Sequence, residues 1–167
     1  YASVIPNLEF SFPDAKKWFK VKKNSCLMRL YKMGMLEYHI KDRKHIYRMH
    51  SVIAAAIREQ QKEILYDTTA PFIHKLSEDM ELGDEWGKGY TKFELIPFSW
   101  SVADIFENHW GTEDDATFLL RLYYICFEAS NYPLCKTLIE KVIEIDKTIG
   151  NTEMLIRDYK NYAELLL

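Results

Sequence analysis

The chain has 167 residues, of which 48% are hydrophobic, 14% aromatic and 28% charged, with a net charge of −3. That length buries a sizeable core as one domain or two small ones, and the composition excludes a disordered chain. Six Gly and five Pro are too few for a turn-rich all-β fold; no apolar run reaches bilayer length and the start lacks a signal peptide's order, so a cytoplasmic protein without membrane contact is expected.

The net charge hides an asymmetry. Residues 1–65 carry 13 Lys and Arg against 6 Asp and Glu, net +7, while residues 66–167 carry 9 against 19, net −10. A shift of that size near Tyr66 implies two units with different surfaces, 1–65 and 66–167. Three Cys are an odd count at spacings that fit neither a zinc site nor a disulfide framework, and Cys126 and Cys135 fall among apolar helix positions, where burial is their reading. A first residue that is Tyr, and a Leu-Leu-Leu end on a helical pattern, lead us to expect a piece of a longer protein.

In chain order, residues 1–12 hold apolar side chains without a helical period and read as an extended lead-in. Pro13-Asp14 starts a short helix through Lys20. Asn24 or Ser25 is suited to cap the next helix, with Leu27, Leu30 and Tyr31 on one face and Gly34 as its left-handed exit. Leu36 to Ile40 alternates apolar and polar, Lys41 to Lys44 is a charged turn, and Ile46 to Met49 returns, predicting a two-stranded hairpin with a basic tip. Ser51 is expected to cap the following helix. Its stripe is Val52, Ile53, Ala56, Ile57 and Ile64, with Arg58, Glu59, Gln61 and Lys62 facing water.

From Thr68 the pattern becomes helix hairpins. A helix over 68–80 has Pro71 in its first turn and Phe72, Ile73, Leu76 and Met80 inward. Residues 83–91 read as a loop and 98–107 as a short helix. A longer helix over 113–129 places Leu119, Leu122, Tyr123 and Cys126 inward. The turn Asn131-Tyr132-Pro133 leads into a helix over 133–149, with Leu134, Cys135, Leu138, Ile139, Val142 and Ile145 on its stripe and Gly150 at its end. Residues 152–166 repeat the period with Leu155, Tyr159, Tyr162 and Leu166. Helix pairs recurring at about forty residues read as an α-solenoid. The expected fold class is thus mostly α: a winged helix with a two-stranded hairpin, followed by a solenoid of helix pairs.

The segment YRMHS, Tyr47 to Ser51, lies between a hairpin and an Ile/Ala-rich helix. It resembles the Met-His-Asp motif that closes the winged-helix domain of NB-ARC proteins, the STAND class of signal-transduction ATPases. LMRLYKMGMLEY is similar to that domain's run of leucine-rich helix, Gly and strand. The second half resembles tetratricopeptide repeats. Asn131-Tyr132 corresponds to the turn inside a repeat, LIEKVIEIDKTIGN to a second helix, and DYKNYAELL to the next first helix.

The resemblance implies that His50 contacts the β-phosphate of ADP and holds a nucleotide-binding domain, upstream in the same protein, against the winged helix. It implies ADP or ATP as the parent's cofactor, none bound to this chain alone, and a protein or peptide ligand on the repeats. The chemistry is reasonable by itself: a helix N-terminus favours an anion, and an imidazole donates to phosphate oxygen. Ser51 stands where the family motif has Asp, which leaves the helix cap but removes an acidic contact.

Catalysis is not expected of the chain. The string Gly83-Asp84-Glu85-Trp86-Gly87-Lys88-Gly89 has three residues between its first glycines where a phosphate loop has four, and it ends in Gly where Ser or Thr binds magnesium. His39 and His45 on facing strands lack a third metal ligand. Lys16, Lys17, Lys20, Lys22, Lys23, Arg43, Lys44 and Arg48 form a basic face that a winged helix sets against DNA, but the 24–34 helix offers only Arg29 and Lys32 to read bases. Two other readings remain open at this point: an interaction adapter without a nucleotide role, and a DNA-binding regulator.

Overall fold

The computed structural model describes residues 1–82 and 89–167, the side chains of residues 89–91 excepted. The chain is mostly helical with one small antiparallel sheet. It divides into two compact units, Tyr1–Lys75 and Leu76–Leu167. No described helix is long and apolar enough to cross a membrane.

In the first unit a short 3-10 turn, Ala2–Val4, precedes β1 (Phe10–Ser11) and α1 (Phe12–Trp18). Helix α2 (Asn24–Lys32), strands β2 (Glu37–Lys41) and β3 (Lys44–Arg48) and helix α3 (Ser51–Gln61) follow, and α4 (Leu65–Met80) begins. The strand order is β1-β3-β2, all antiparallel, with Phe10 opposite Tyr47 and Tyr38 opposite Tyr47 on the other side. The sheet therefore has three strands where two were expected. Strand β3 has a second edge of peptide groups to satisfy, and the lead-in supplies them: Asn7 turns left-handed (φ 61) and donates its N–H to the Met49 carbonyl at 2.8 Å. A pairing only two residues long leaves no alternation to read.

The hairpin tip is tighter than expected. Lys41 and Lys44 still pair, and the two-residue turn is Asp42-Arg43, both at positive φ (49 and 62), the geometry whose twist matches flanking strands. The core of this unit is aromatic. Phe19 stacks on Tyr1 at 5.6 Å and meets Phe10 and Phe72 edge-on at 5.2 and 5.3 Å. Helix α1 is locked by a capping box: Ser11 Oγ accepts from the Asp14 N–H and the Asp14 carboxylate accepts from the Ser11 N–H at 2.7 Å.

Three local expectations are overturned here. Lys23, not Asn24 or Ser25, occupies the α2 cap, because Asn24 Oδ1 accepts from the buried Tyr47 hydroxyl at 2.6 Å. Of the face expected for α2, Leu27 is buried but Tyr31 is exposed. The inward face of α3 is turned from the one expected: Ala54 is buried and Ile53 and Ile57 half-buried, whereas Val52 is 70% exposed, and Ile64 falls beyond the end of the helix. The reason is the 3-10 turn lying on α3, where Arg58 Nη1 donates to the Ser3 carbonyl at 2.5 Å; burial lowers the pKa of that guanidinium, which was expected in water.

Helix α4 starts at Leu65, so Pro71 lies inside it and not in its first turn. The Thr68 N–H bonds to the Ile64 carbonyl at 2.9 Å, and buried Leu65 anchors the added turn. Beyond α4, residues 83–88, which hold most of the glycine string discussed above, lie outside the described residues. A 3-10 stretch, Gly89–Leu95, replaces the end of the expected loop.

The second unit continues with α5 (Ile96–Ile105), α6 (Glu113–Glu128), α7 (Tyr132–Ile149) and α8 (Thr152–Leu165). Thr112 and Asp115 form a second capping box that starts α6. Gly150, at φ 75, closes α7 in the left-handed conformation, and Asn151 Oδ1 accepts from the Met154 N–H to start α8. Helices α6 and α7 pack through Leu119, Leu122, Cys126, Cys135, Leu138 and Val142, all buried. The side of α8 that is buried is polar, consisting of Asp158 and Asn161, while Tyr159 and Leu166, expected inward, are 48% and 64% exposed.

Candidate functional site

The junction after β3 is built by three residues. Met49 is buried and pins the chain. His50, exposed and extended (φ −65, ψ 141), is the N-cap of α3, and its own Nδ1 accepts from the Val52 N–H at 3.2 Å. Ser51 is the first helical residue, and its N–H donates to Asn7 Oδ1 at 3.2 Å. The cap expected of Ser51 is thus made by His50, because the helix begins one residue earlier than the Ser-cap reading needs.

That bond has a chemical consequence. With Nδ1 accepting from the backbone, the neutral ring carries its proton on Nε2, which leaves the exposed edge of the imidazole as a hydrogen-bond donor. The ring is also held at the positive end of an eleven-residue helix. The Ser51 and Val52 amides, by contrast, already have acceptors, so an incoming anion meets the ring and not a ring of free N–H groups.

Other candidate groups near the hairpin are engaged elsewhere. Arg48 is bound to Glu37 through both Nε and Nη2, and that pairing raises its pKa. His39 faces Glu9 at 3.5 Å and His45 Nδ1 meets the Tyr38 hydroxyl at 2.9 Å, so the two histidines do not converge. Among the described residues no cluster of three metal-capable side chains exists. Lys16, Lys20, Lys22, Lys23, Arg43 and Lys44 are exposed, as are Arg29 and Lys32 on α2.

In the second unit, a cavity of about 390 Å³ is lined by α5, α6 and α7 together with the segment carrying Trp110. Trp100 and Trp110 form its aromatic walls, and Asp104, Glu107, Glu140 and Glu144 make it acidic, with Lys141 paired to Glu144 at 2.8 Å. No sequence reading singled it out, since its carboxylates come from α5 and the turn after it and from α7, with the whole of α6 between them in the chain. Cys126 and Cys135 are buried as expected; desolvation pushes their thiols up to about 12 and about 11, so both stay protonated and chemically inert. Compared with family models, with curated proteins and with solved structures, the chain matches none.

Proposed function

We propose that this chain is the regulatory part of a nucleotide-dependent switch of the NB-ARC, or STAND, kind, acting in the cytoplasm. In this reading residues 1–65 are its winged helix, and residues 66–167 begin a tetratricopeptide-like array that binds a protein or peptide ligand. ADP held by a nucleotide-binding domain elsewhere in the same protein is gripped at its β-phosphate by His50. Ligand engagement by the helices then biases the switch toward its open state.

The observation that carries the reading is the exposed Nε2–H of His50, set by the Nδ1 cap at the start of α3. The fit to a diphosphate is partial by its nature. One donor supplies one phosphate contact, and the amides beside it are satisfied, so most of the nucleotide's ligands must come from the other domain. Hydrolysis is therefore not assigned to this chain, and measurable NTPase activity of the pure chain contradicts the proposal. The acidic, Trp-walled cavity favours a ligand carrying a basic side chain, by charge and by cation–π attraction. It equally supports the second reading, an adapter without a nucleotide role.

The test uses the longer protein that the proposal requires. His50→Asp keeps a good helix cap but places a negative charge against the phosphate, so purified protein is expected to lose its bound ADP while circular dichroism stays unchanged. Unchanged ADP content removes His50 from the site and leaves the adapter reading.

A further inference from the structure

The buried surface of α8 is unusual in that it contains a carboxylate facing another carboxylate. Asp146 of α7 and Asp158 of α8 are 1% and 0% exposed. They interact directly, and in each the Oδ2 oxygen is buried without a hydrogen-bond donor. Arg157 supplies one positive charge, donating through Nε and Nη2 to Asp158 Oδ1 at 3.0 and 2.9 Å. One guanidinium thus stands against two carboxyls, and Glu113 of α6 adds further negative potential.

Leaving one buried negative charge uncompensated and two acceptor oxygens without donors is costly. A single proton removes both problems, since a protonated carboxyl becomes a donor and cancels the excess charge. A metal ion is a poorer solution, because no third carboxylate or histidine converges on the pair among the described residues.

We infer that Asp146 and Asp158 share one proton across the α7–α8 seam, forming a latch that holds α8 while the proton is bound and loosens it when the proton leaves. The rest of the packing of α8 makes such a response possible. Helix α8 buries no large apolar side chain completely; toward α6 it is held through the Tyr123 hydroxyl donating to the Asn161 carbonyl at 3.1 Å and Asn161 Nδ2 donating to the Tyr124 hydroxyl at 3.1 Å, and toward α7 the Tyr162 hydroxyl donates to the exposed Glu140 carboxylate at 2.9 Å. Burial, the Asp158 contact and the Asp158 charge raise the Asp146 pKa from its ordinary value of 3.8 to about 6, with Arg157 opposing. Because the folded pKa lies above the unfolded one, the folded state binds the extra proton between those values. The stabilisation is complete below about pH 4 and is lost as pH rises through about 6.

The experiment is done on the whole chain. The carboxyl ¹³C resonances of Asp146 and Asp158 are followed from pH 3 to 9, together with urea unfolding and the amide-exchange protection of α8 relative to α6, corrected for intrinsic rates. The pair is expected to take up one proton with a midpoint clearly above that of exposed aspartates, and the folding equilibrium to weaken by roughly 50-fold between pH 4 and 8 on this account. Protection should fall in α8 first. Asp146→Asn, whose amide donates to Asp158 as the proton does, should remove that dependence, and Arg157→Gln should move the midpoint upward. Ordinary midpoints for both carboxyls, or the same pH dependence in Asp146→Asn as in the parent chain, overturn the inference. If the variants do not fold, the carboxyl titration of the unmodified chain still decides it.

Discussion

The two seams that α7 makes, with α6 on one side and α8 on the other, are joined in opposite ways. Toward α6 it presents Cys135, Leu138, Ile139 and Val142 to Leu119, Leu122 and Cys126, all buried and without charge. Toward α8 it presents Asp146 to Asp158 and Glu140 to the Tyr162 hydroxyl, while the Tyr123 hydroxyl of α6 reaches the Asn161 carbonyl of α8 beside them. An apolar seam gains its stability from water release and close packing, so it is insensitive to pH and unforgiving of lost volume. A polar seam contributes little unless every group is satisfied, and its strength then follows the protonation of its members. The same helix is thereby fixed on one side and adjustable on the other.

The comparison is broken most severely by Leu138→Ala. The side chain is 2% exposed in the α6–α7 seam, and the truncation is expected to cost about 3 kcal/mol at every pH, read by urea unfolding. Next is Asp146→Asn, whose effect should depend on pH: near zero at pH 4, and a gain of about 2 kcal/mol at pH 8, where the parent pair has lost its proton. A loss of stability at pH 8 in that variant would show that the ionised pair is favourable after all.

Tyr123→Phe sharpens the contrast with a smaller change. Burial pushes the phenol up to about 12, so it stays a neutral donor to the Asn161 carbonyl, and removing it is expected to cost about 1 kcal/mol while loosening α8 more than α6 in hydrogen exchange. The smallest effect belongs to Ile156→Ser on the outer face of α8. Ile156 is 71% exposed, and its replacement should alter stability by less than about 0.5 kcal/mol. A larger loss would mean that the outer face of α8 is covered in solution.

Elements whose cause is local were legible. Gly150 ends α7 because a left-handed residue satisfies the last carbonyls, and the Cys126 and Cys135 stripe faces inward because its neighbours at helical spacing are apolar. At the candidate site, His50 could be singled out by its place between a strand and a helix. That its own ring, and not Ser51, caps α3 depends on where the helix starts, and a one-residue shift of that start leaves no trace in composition.

The same division holds across the molecule. The amino-acid sequence determined the helices, the hairpin and the apolar face of α7, since each follows from residues within a few turns of one another. Tertiary structure alone decided which face of α3 turns inward, that Phe10 and Ser11 become a third strand, and that two aspartates twelve positions apart are buried against each other. Those outcomes depend on which distant segment arrives as a neighbour, and burial can make a pair out of charges that, in isolation, read as a solvated helix surface.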